Sequence, residues 1–256
     1  MKAKTIFLIL LSAVLITAVF FIDPIPQDQS YYAFADTRSM LGVPNFWNVL
    51  SNLPFLLVGG AGIYYSRSKN RAGMSPDLRT AYLVFFAGIF LTGFGSAYFH
   101  YAPGNETLVW DRLPMTIGFM GLVTIIVGEH ISLPAAKRTL IPLLIIGAGS
   151  VVFWAVTEAR GVGDLRPYAI VQFLPMLLIP LILLMYRSIY DNVDFLWFVI
   201  VLYALSKLFE YFDYATFEVG HVLSGHSIKH VVASIAPLVL LYGVDNRRPR
   251  AEGSAT

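Results

Sequence analysis

Ser224-Gly225-His226-Ser227-Ile228-Lys229-His230 opens the last apolar stretch of the chain, which runs on to about residue 244. His226 and His230 are four residues apart, so on a helix their side chains stand one turn apart on the same face. Two imidazoles at that spacing can grip one metal ion from a single helix. Alone, H-x-x-x-H is a weak signal. Its setting strengthens it, because a polar ring in a stretch that enters lipid is costly and calls for a function.

The rest of the chain is built like that stretch. Its 256 residues are 57% hydrophobic and 13% charged, with a mean hydropathy of +0.67, whereas a soluble domain carries about 25% charged residues. The expected fold class is all-α, a polytopic transmembrane helical bundle. A net charge of +2 leaves no nucleic-acid footprint. With no cysteine present, disulfides, thiolate metal sites and cysteine nucleophiles are excluded. Any metal must be held by His, Asp, Glu or water.

Eight apolar segments can be counted, at about 5–22, 44–65, 81–100, 110–131, 140–157, 168–186, 195–212 and 224–244, against the roughly 20 residues a spanning helix needs. The organisation expected is an N-terminal transmembrane helix within 1–30, a seven-helix core over 31–245 and a basic cytosolic tail over 246–256. The first segment, after Lys2 and Lys4, can also be read as a signal peptide. Its apolar run is long for one, and no small-x-small cleavage site precedes Asp23-Pro24, so a retained helix or signal anchor is the expectation.

Positive charge sets the orientation. With the N-terminus in the cytosol, the inner side carries Lys2, Lys4, Arg67, Lys69, Arg71, Arg79, Lys137, Arg138, Arg187, Arg247, Arg248 and Arg250, twelve in all. The outer side carries four: Arg38, Arg112, Arg160 and Arg166. In this orientation the third segment ends outside, and the fourth and eighth begin there. Ser96 and His100, an S-x-x-x-H pair, close the third segment. Asp111 opens the fourth, eleven residues after His100 and beyond an Ala102-Pro103-Gly104-Asn105 turn. Ser96, His100, Asp111, His226 and His230 therefore fall in one outer layer. Three neutral imidazoles and one open position make a catalytic zinc site, where water turns acidic enough to react near neutral pH. A nearby carboxylate can take its proton and a hydroxyl can steady an oxyanion.

Single members of the set have plainer readings: His100 as an interfacial residue at a helix end, Asp111 as an N-cap paired with Arg112. His130 and His221 read as ordinary interfacial residues. Lys207, Glu210 and Asp213, three apart on the seventh segment, drift slowly around one helix face, with Lys207 and Glu210 expected to pair. Lys229 should snorkel or pair. Asn45, Asn48, Ser51 and Asn52 form a polar stripe suited to hydrogen bonding between helices.

Taken together, Phe46-Trp47-Asn48-Val49-Leu50-Ser51-Asn52-Leu53, the Ser96/His100 pair, Asp111 and the late H-x-x-x-H resemble the alkaline ceramidase family. That family is part of a superfamily of seven-helix membrane hydrolases that also contains the adiponectin-type receptors. The resemblance extends over residues 36 to 244. It implies a seven-helix hydrolase core holding Zn2+ through His100, His226 and His230, with Ser96 and Asp111 as catalytic members of the site. It implies a lipid substrate in the membrane, an N-acyl lipid with ceramide in first place, cut at its amide to a sphingoid base and a fatty acid. Animal and yeast members carry an acidic cluster, associated with Ca2+, before the segment at 44–65 here. This chain shows Phe34-Ala35-Asp36-Thr37-Arg38 there, and Asn45 where a glutamate is expected, so Ca2+ is not carried over. The runs 34–38, 163–168 and 224–230 look more like the bacterial branch, which implies a bacterial inner membrane; the charge bias puts the site toward its outer face. The rival readings are a receptor or sensor on the same scaffold, which the short loops disfavour, and a pigment with bis-histidine haem or retinal on Lys229.

Overall fold

In the computed structural model residues 2–68 and 72–250 are described. Lys69 and Arg71 of the inner-side charges, and residues 251–256 of the tail, lie outside the described residues. The helices are α1 (Lys2–Val19), α2 (Phe46–Leu50), α3 (Leu53–Arg67), α4 (Arg79–Tyr101), α5 (Asn105–His130), α6 (Leu133–Ala159), α7 (Arg166–Met185), α8 (Phe195–Tyr211), α9 (Asp213–Gly220) and α10 (Gly225–Asn246). Among the described residues there are two isolated β-bridges and no strand. The protein is an all-α, polytopic membrane bundle. Among the described residues seven helical spans are long and apolar enough to cross a bilayer, eight if the bent pair α8–α9 is counted as one span.

Two of the apolar segments are broken. The second stops as helix at Leu50, turns through Ser51 and Asn52, and resumes at Leu53 with Pro54 in the first turn of α3, where a missing N–H costs nothing. The seventh breaks after Tyr211, and α9 leaves the axis of α8 at 76°. Lys207, Glu210 and Asp213 therefore do not share one helix face, because the break falls between the second and third of them.

In the bundle α4 packs between α3 and α5, α5 packs on α6 and α7, and α10 packs on α8 and α3. Helix α1 lies outside, against α7, with 6% of its span buried; a helix apolar on all sides and so exposed meets lipid. Its ends are tied down: Lys4 Nζ donates to Met185 O at 2.6 Å, and Arg166 Nη1 to Ile22 O at 2.6 Å. The following strap is held too, by Leu165 N–H on Ile25 O (2.8 Å) and Gln27 N–H on a Glu158 carboxylate oxygen (3.0 Å).

Two D-x-R sequences fold into the same clasp. In each, the arginine donates its backbone N–H and Nε to one carboxylate oxygen and Nη2 to the other: Arg38 on Asp36, Arg166 on Asp164. The guanidinium bonds hold the Asp164 carboxyl below the usual carboxylate range. Arg38 then reaches across to the carbonyls of His221 (3.1 Å) and Val222 (2.6 Å), joining the first loop to the last.

At the far end of α10, Arg247 is not an exposed loop charge. It is 2% exposed, its Nη1 donates to Glu129 Oε2 at 2.7 Å and its Nη2 pairs with the other carboxylate oxygen. Tyr82 OH donates to Glu129 at 2.6 Å and accepts from Arg247 at 2.7 Å, while Arg247 Nε donates to Gly73 O at 2.8 Å. This staple joins α4, α5 and α10. Removing one partner of a buried pair strands the other charge, at a cost of about 3–5 kcal/mol. Arg247→Ala should therefore lower stability by that order in detergent unfolding, whereas the double replacement Arg247→Met with Glu129→Met should recover most of it. Equal losses in the single and double variants would mean that the staple's worth lies in packing alone.

Candidate metal centre

His100 is the last residue but one of α4, and His226 and His230 occupy the first two turns of α10. One ring nitrogen from each lies within 4.8 Å of the others, and no other such group of three His, Asp or Glu side chains occurs among the described residues. His100 Nε2 and His226 Nε2 face each other at 3.3 Å. The residues are 1%, 4% and 5% exposed. Ring centroids 4.7, 4.8 and 5.1 Å apart leave no slot for a flat macrocycle between any two of them.

The donor set fits zinc. Ring nitrogens turned toward one another need a proton or a cation between them, and three neutral imidazoles in a site of this size suit a tetrahedral borderline-soft ion. His230 is oriented by Ser51, whose hydroxyl lies 2.8 Å from Nδ1 and leaves Nε2 for the cluster. His100 lacks such a bond: its Nδ1 is buried without a hydrogen-bond partner.

The backbones of His100 and His226 are each held from outside their own helix. Asn45, held at φ +47°, donates Nδ2 to His100 O at 2.8 Å. Asp213 accepts from the N–H of His226 (2.7 Å) with one oxygen and from the N–H of Ala35 (3.0 Å) with the other. Asn48, fully buried, donates to Asp36 O at 3.0 Å and accepts from Ser227 Oγ at 2.7 Å. Phe34 packs its ring 4.8 Å from both His100 and His226. Two glycines permit the close approach. A Cβ on Gly95 would lie 1.9 Å from Trp110 O, and one on Gly225 would lie 2.3 Å from Phe209 O. The first lets α4 bring Ser96 and His100 against α5; the second lets α10 settle into the α8–α9 bend.

Asp111 does not open its helix. Helix α5 begins at Asn105, so Asp111 sits in its second turn, 7% exposed, hydrogen-bonded to the Ser96 side chain. Arg112 turns to Gln27 (Nη2 to Oε1, 2.6 Å) and stacks over Trp154 at 4.2 Å and Tyr168 at 4.7 Å. Ser96, Asp111 and His230 line one cavity of about 260 Å³. An apolar cavity of about 160 Å³ adjoins it, sharing Phe55, Thr92, Met115 and Ala233 and reaching Phe85, Ile126 and Leu196. His130 and His221 stand apart from the cluster, His130 bonding Ile126 O and His221 ending α9 in a left-handed conformation. Lys207 pairs with Glu210 at 2.7 Å, as expected, and Lys229 pairs with the same carboxylate. Sequence reading missed Ser51 and Asp213 as supports of the histidines. The polar stripe signalled the first; nothing local signalled the second.

The ceramidase family model matches residues 40–253. The chain belongs to the ceramidase family. No curated protein matches it. Family membership supports a membrane enzyme that hydrolyses the amide bond of ceramide, and the matched span contains all three histidines, Ser96 and Asp111. Ser51 makes a direct test of the cluster. A hydrogen bond that fixes a ligand's ring is worth about 10- to 100-fold in metal affinity. Ser51→Ala should weaken zinc binding by that factor in a chelator competition and Ser51→Thr should restore it. An unchanged affinity in the alanine variant would remove Ser51 from the site.

Proposed function

We propose that this protein is a zinc-dependent amidase of N-acyl lipids, with ceramide the first substrate to test, and that His100, His226 and His230 hold the metal. The observation that carries the reading is a cluster of three buried imidazoles, one of which, His230, lines a cavity with Asp111 and Ser96 beside an apolar one. A zinc ion held there supplies Lewis acidity, which makes water reactive near neutral pH and polarises the amide carbonyl.

Asp111 is the general base. Its carboxylate accepts a proton from the attacking water as the C–O bond forms, then returns it to the amine nitrogen as the C–N bond breaks. Ser96 donates its one hydroxyl proton to Asp111 and so fixes which carboxylate oxygen stays free for the water; once Asp111 holds the water's proton, that hydroxyl is released to donate toward the developing oxyanion. The apolar cavity between α4, α5, α7, α8 and α10 gives an acyl chain room inside the bundle, which holds the amide near Asp111 and excludes bulk water. Calcium has no role in this reading: Asp36 is saturated by Arg38, and Asn45 serves as a neutral donor to His100 O.

Purified protein should carry about one zinc per chain, lose activity to a zinc chelator and regain it with Zn2+ and not with Ca2+. His226→Ala should empty the site. Asp111→Asn should keep the metal and lose activity by about 10²–10⁴-fold. Full zinc in the histidine variant, or an active Asp111→Asn enzyme, would refute the assignment.

The charge bias supports a site facing away from the cytosol, drawing substrate from the outer leaflet of a bacterial inner membrane. Glu106, beside the site, and Ala72, at the other end of the bundle, are both exposed, and the chain has no cysteine of its own. Glu106→Cys should react with an impermeant thiol reagent in intact spheroplasts, whereas Ala72→Cys should need lysis. The opposite pattern would turn the protein over and give the site the cytosolic leaflet.

A further inference from the structure

The cavity that holds Asp111 and Ser96 carries more charge than amide hydrolysis requires. Lys207 and Glu210 from the end of α8, Lys229 from α10 and Arg112 from α5 all line it. Glu210 is a single carboxylate serving two ammonium groups: Lys207 Nζ binds one oxygen at 2.7 Å and Lys229 Nζ binds the other. Each ammonium has three donors, so both lysines keep donors to spare. Counting all the charged side chains on the cavity wall, Arg112, Lys207 and Lys229 stand against Asp111 and Glu210, which leaves an excess of one positive charge. Arg112 adds a second sign. It is 6% exposed, and its Nη1 has no hydrogen-bond partner. Unbalanced buried charge is costly in a membrane protein and is commonly retained for a ligand.

We propose that the lysine pair flanking Glu210 is a subsite for an acidic group on the head of the substrate, so that the preferred lipid is an N-acyl amide bearing a carboxylate, sulfonate or phosphate close to its nitrogen. The inference rests on the amidase reading and narrows its substrate class. Lys229 is the residue before His230, and both line the same cavity of about 260 Å³ as Asp111. An acid received by Lys229 must therefore sit within a few bonds of the amide that reaches the base, which a headgroup does and the far end of an acyl chain does not. A neutral hydroxylated head would leave the excess charge without an anion. Glu210 holds the two ammonium groups in place while the site is empty of substrate, and its own charge limits how strongly an acid is drawn in.

The test uses the full-length zinc-loaded protein in detergent, with kcat and KM measured on neutral ceramide, ceramide 1-phosphate and an N-acyl amino acid of equal chain length. The acidic lipids should be favoured in kcat/KM by tenfold or more, chiefly through KM, and the preference should fall as salt rises. Lys207→Gln should cut the acidic-over-neutral ratio at least tenfold, whereas Glu210→Gln should raise it. These opposite shifts are not what a damaged fold would give. Binding is read separately by the thermal shift produced by dodecyl phosphate against dodecanol, with the phosphate effect lost in Lys207→Gln. If no lipid is cleaved but that shift is present, amidase activity is refuted and the anion subsite stands. If neutral ceramide is cleaved as well as the acidic lipids, or Lys207→Gln leaves the ratio unchanged, the subsite is overturned and the amidase stands. Strong inhibition by laurate without any preference among substrates would assign the lysines to the released fatty acid, which also overturns the proposal.

Discussion

In hydrocarbon a polar group has only the protein to satisfy it, and the whole of the histidine end is arranged around that constraint. Asp213 uses its two oxygens on two backbone N–H groups from separate parts of the chain, at His226 and Ala35. Asn48 uses its amide on Asp36 O and its carbonyl on Ser227. Asn45 closes the end of α4 through His100 O. Each such group left unmade would cost about 1–3 kcal/mol. The bonds that avoid that cost also fix the rings: the first loop, α2, α4, α9 and α10 are pinned to one another by the residues beside the ligands. Satisfying the buried polar groups and bringing the three imidazoles together are thus done by the same bonds.

What could be read from the sequence follows the range of the signals. The spans and the H-x-x-x-H pair are local, set by hydropathy and by the 3.6-residue period; the pair stands on α10 as that period puts it, and the spans stand as helices except where the second and seventh break. The gathering of His100 with His226 and His230 needed one long-range step, the layer assignment from charge, and the helix ends do meet. Details of single residues needed contacts that no pattern carries. Arg247 looks like one more basic residue after a helix, yet Glu129 and Tyr82, distant in sequence, draw it into the core. Asp111 looks like an N-cap, but Asn105 and the Ala102–Gly104 turn start the helix earlier, with Thr107 bonding the carbonyls of both Ala102 and Gly104. Ser51 belongs to a stripe that reads as glue between helices, and only the fold shows that its partner is an imidazole.

The break at Phe212 had the least sequence signal and has wide consequences. On a continuous helix Asp213 would stand about 4.5 Å along the axis from Glu210 and about 60° around it, so both carboxylates would address much the same surface. The 76° bend separates them. Glu210 remains on α8 and meets Lys207 and Lys229 at the cavity wall, while Asp213 starts α9 and reaches the N–H of His226. The N–H groups in the first turn of α10 lack partners within the helix; Ser224 takes that of Ser227 and Asp213 takes that of His226, so both anchors lie within the turn that carries His226. Gly225 is what lets this turn sit so close to the bend, since any side chain there would run into Phe209 O. The stretch from Lys207 to His230 is therefore a single device. One short helix break delivers a carboxylate to the helix that carries His226 and His230 and leaves another facing the cavity, so the histidine cluster and the residues that charge the cavity wall are tied to the same bend.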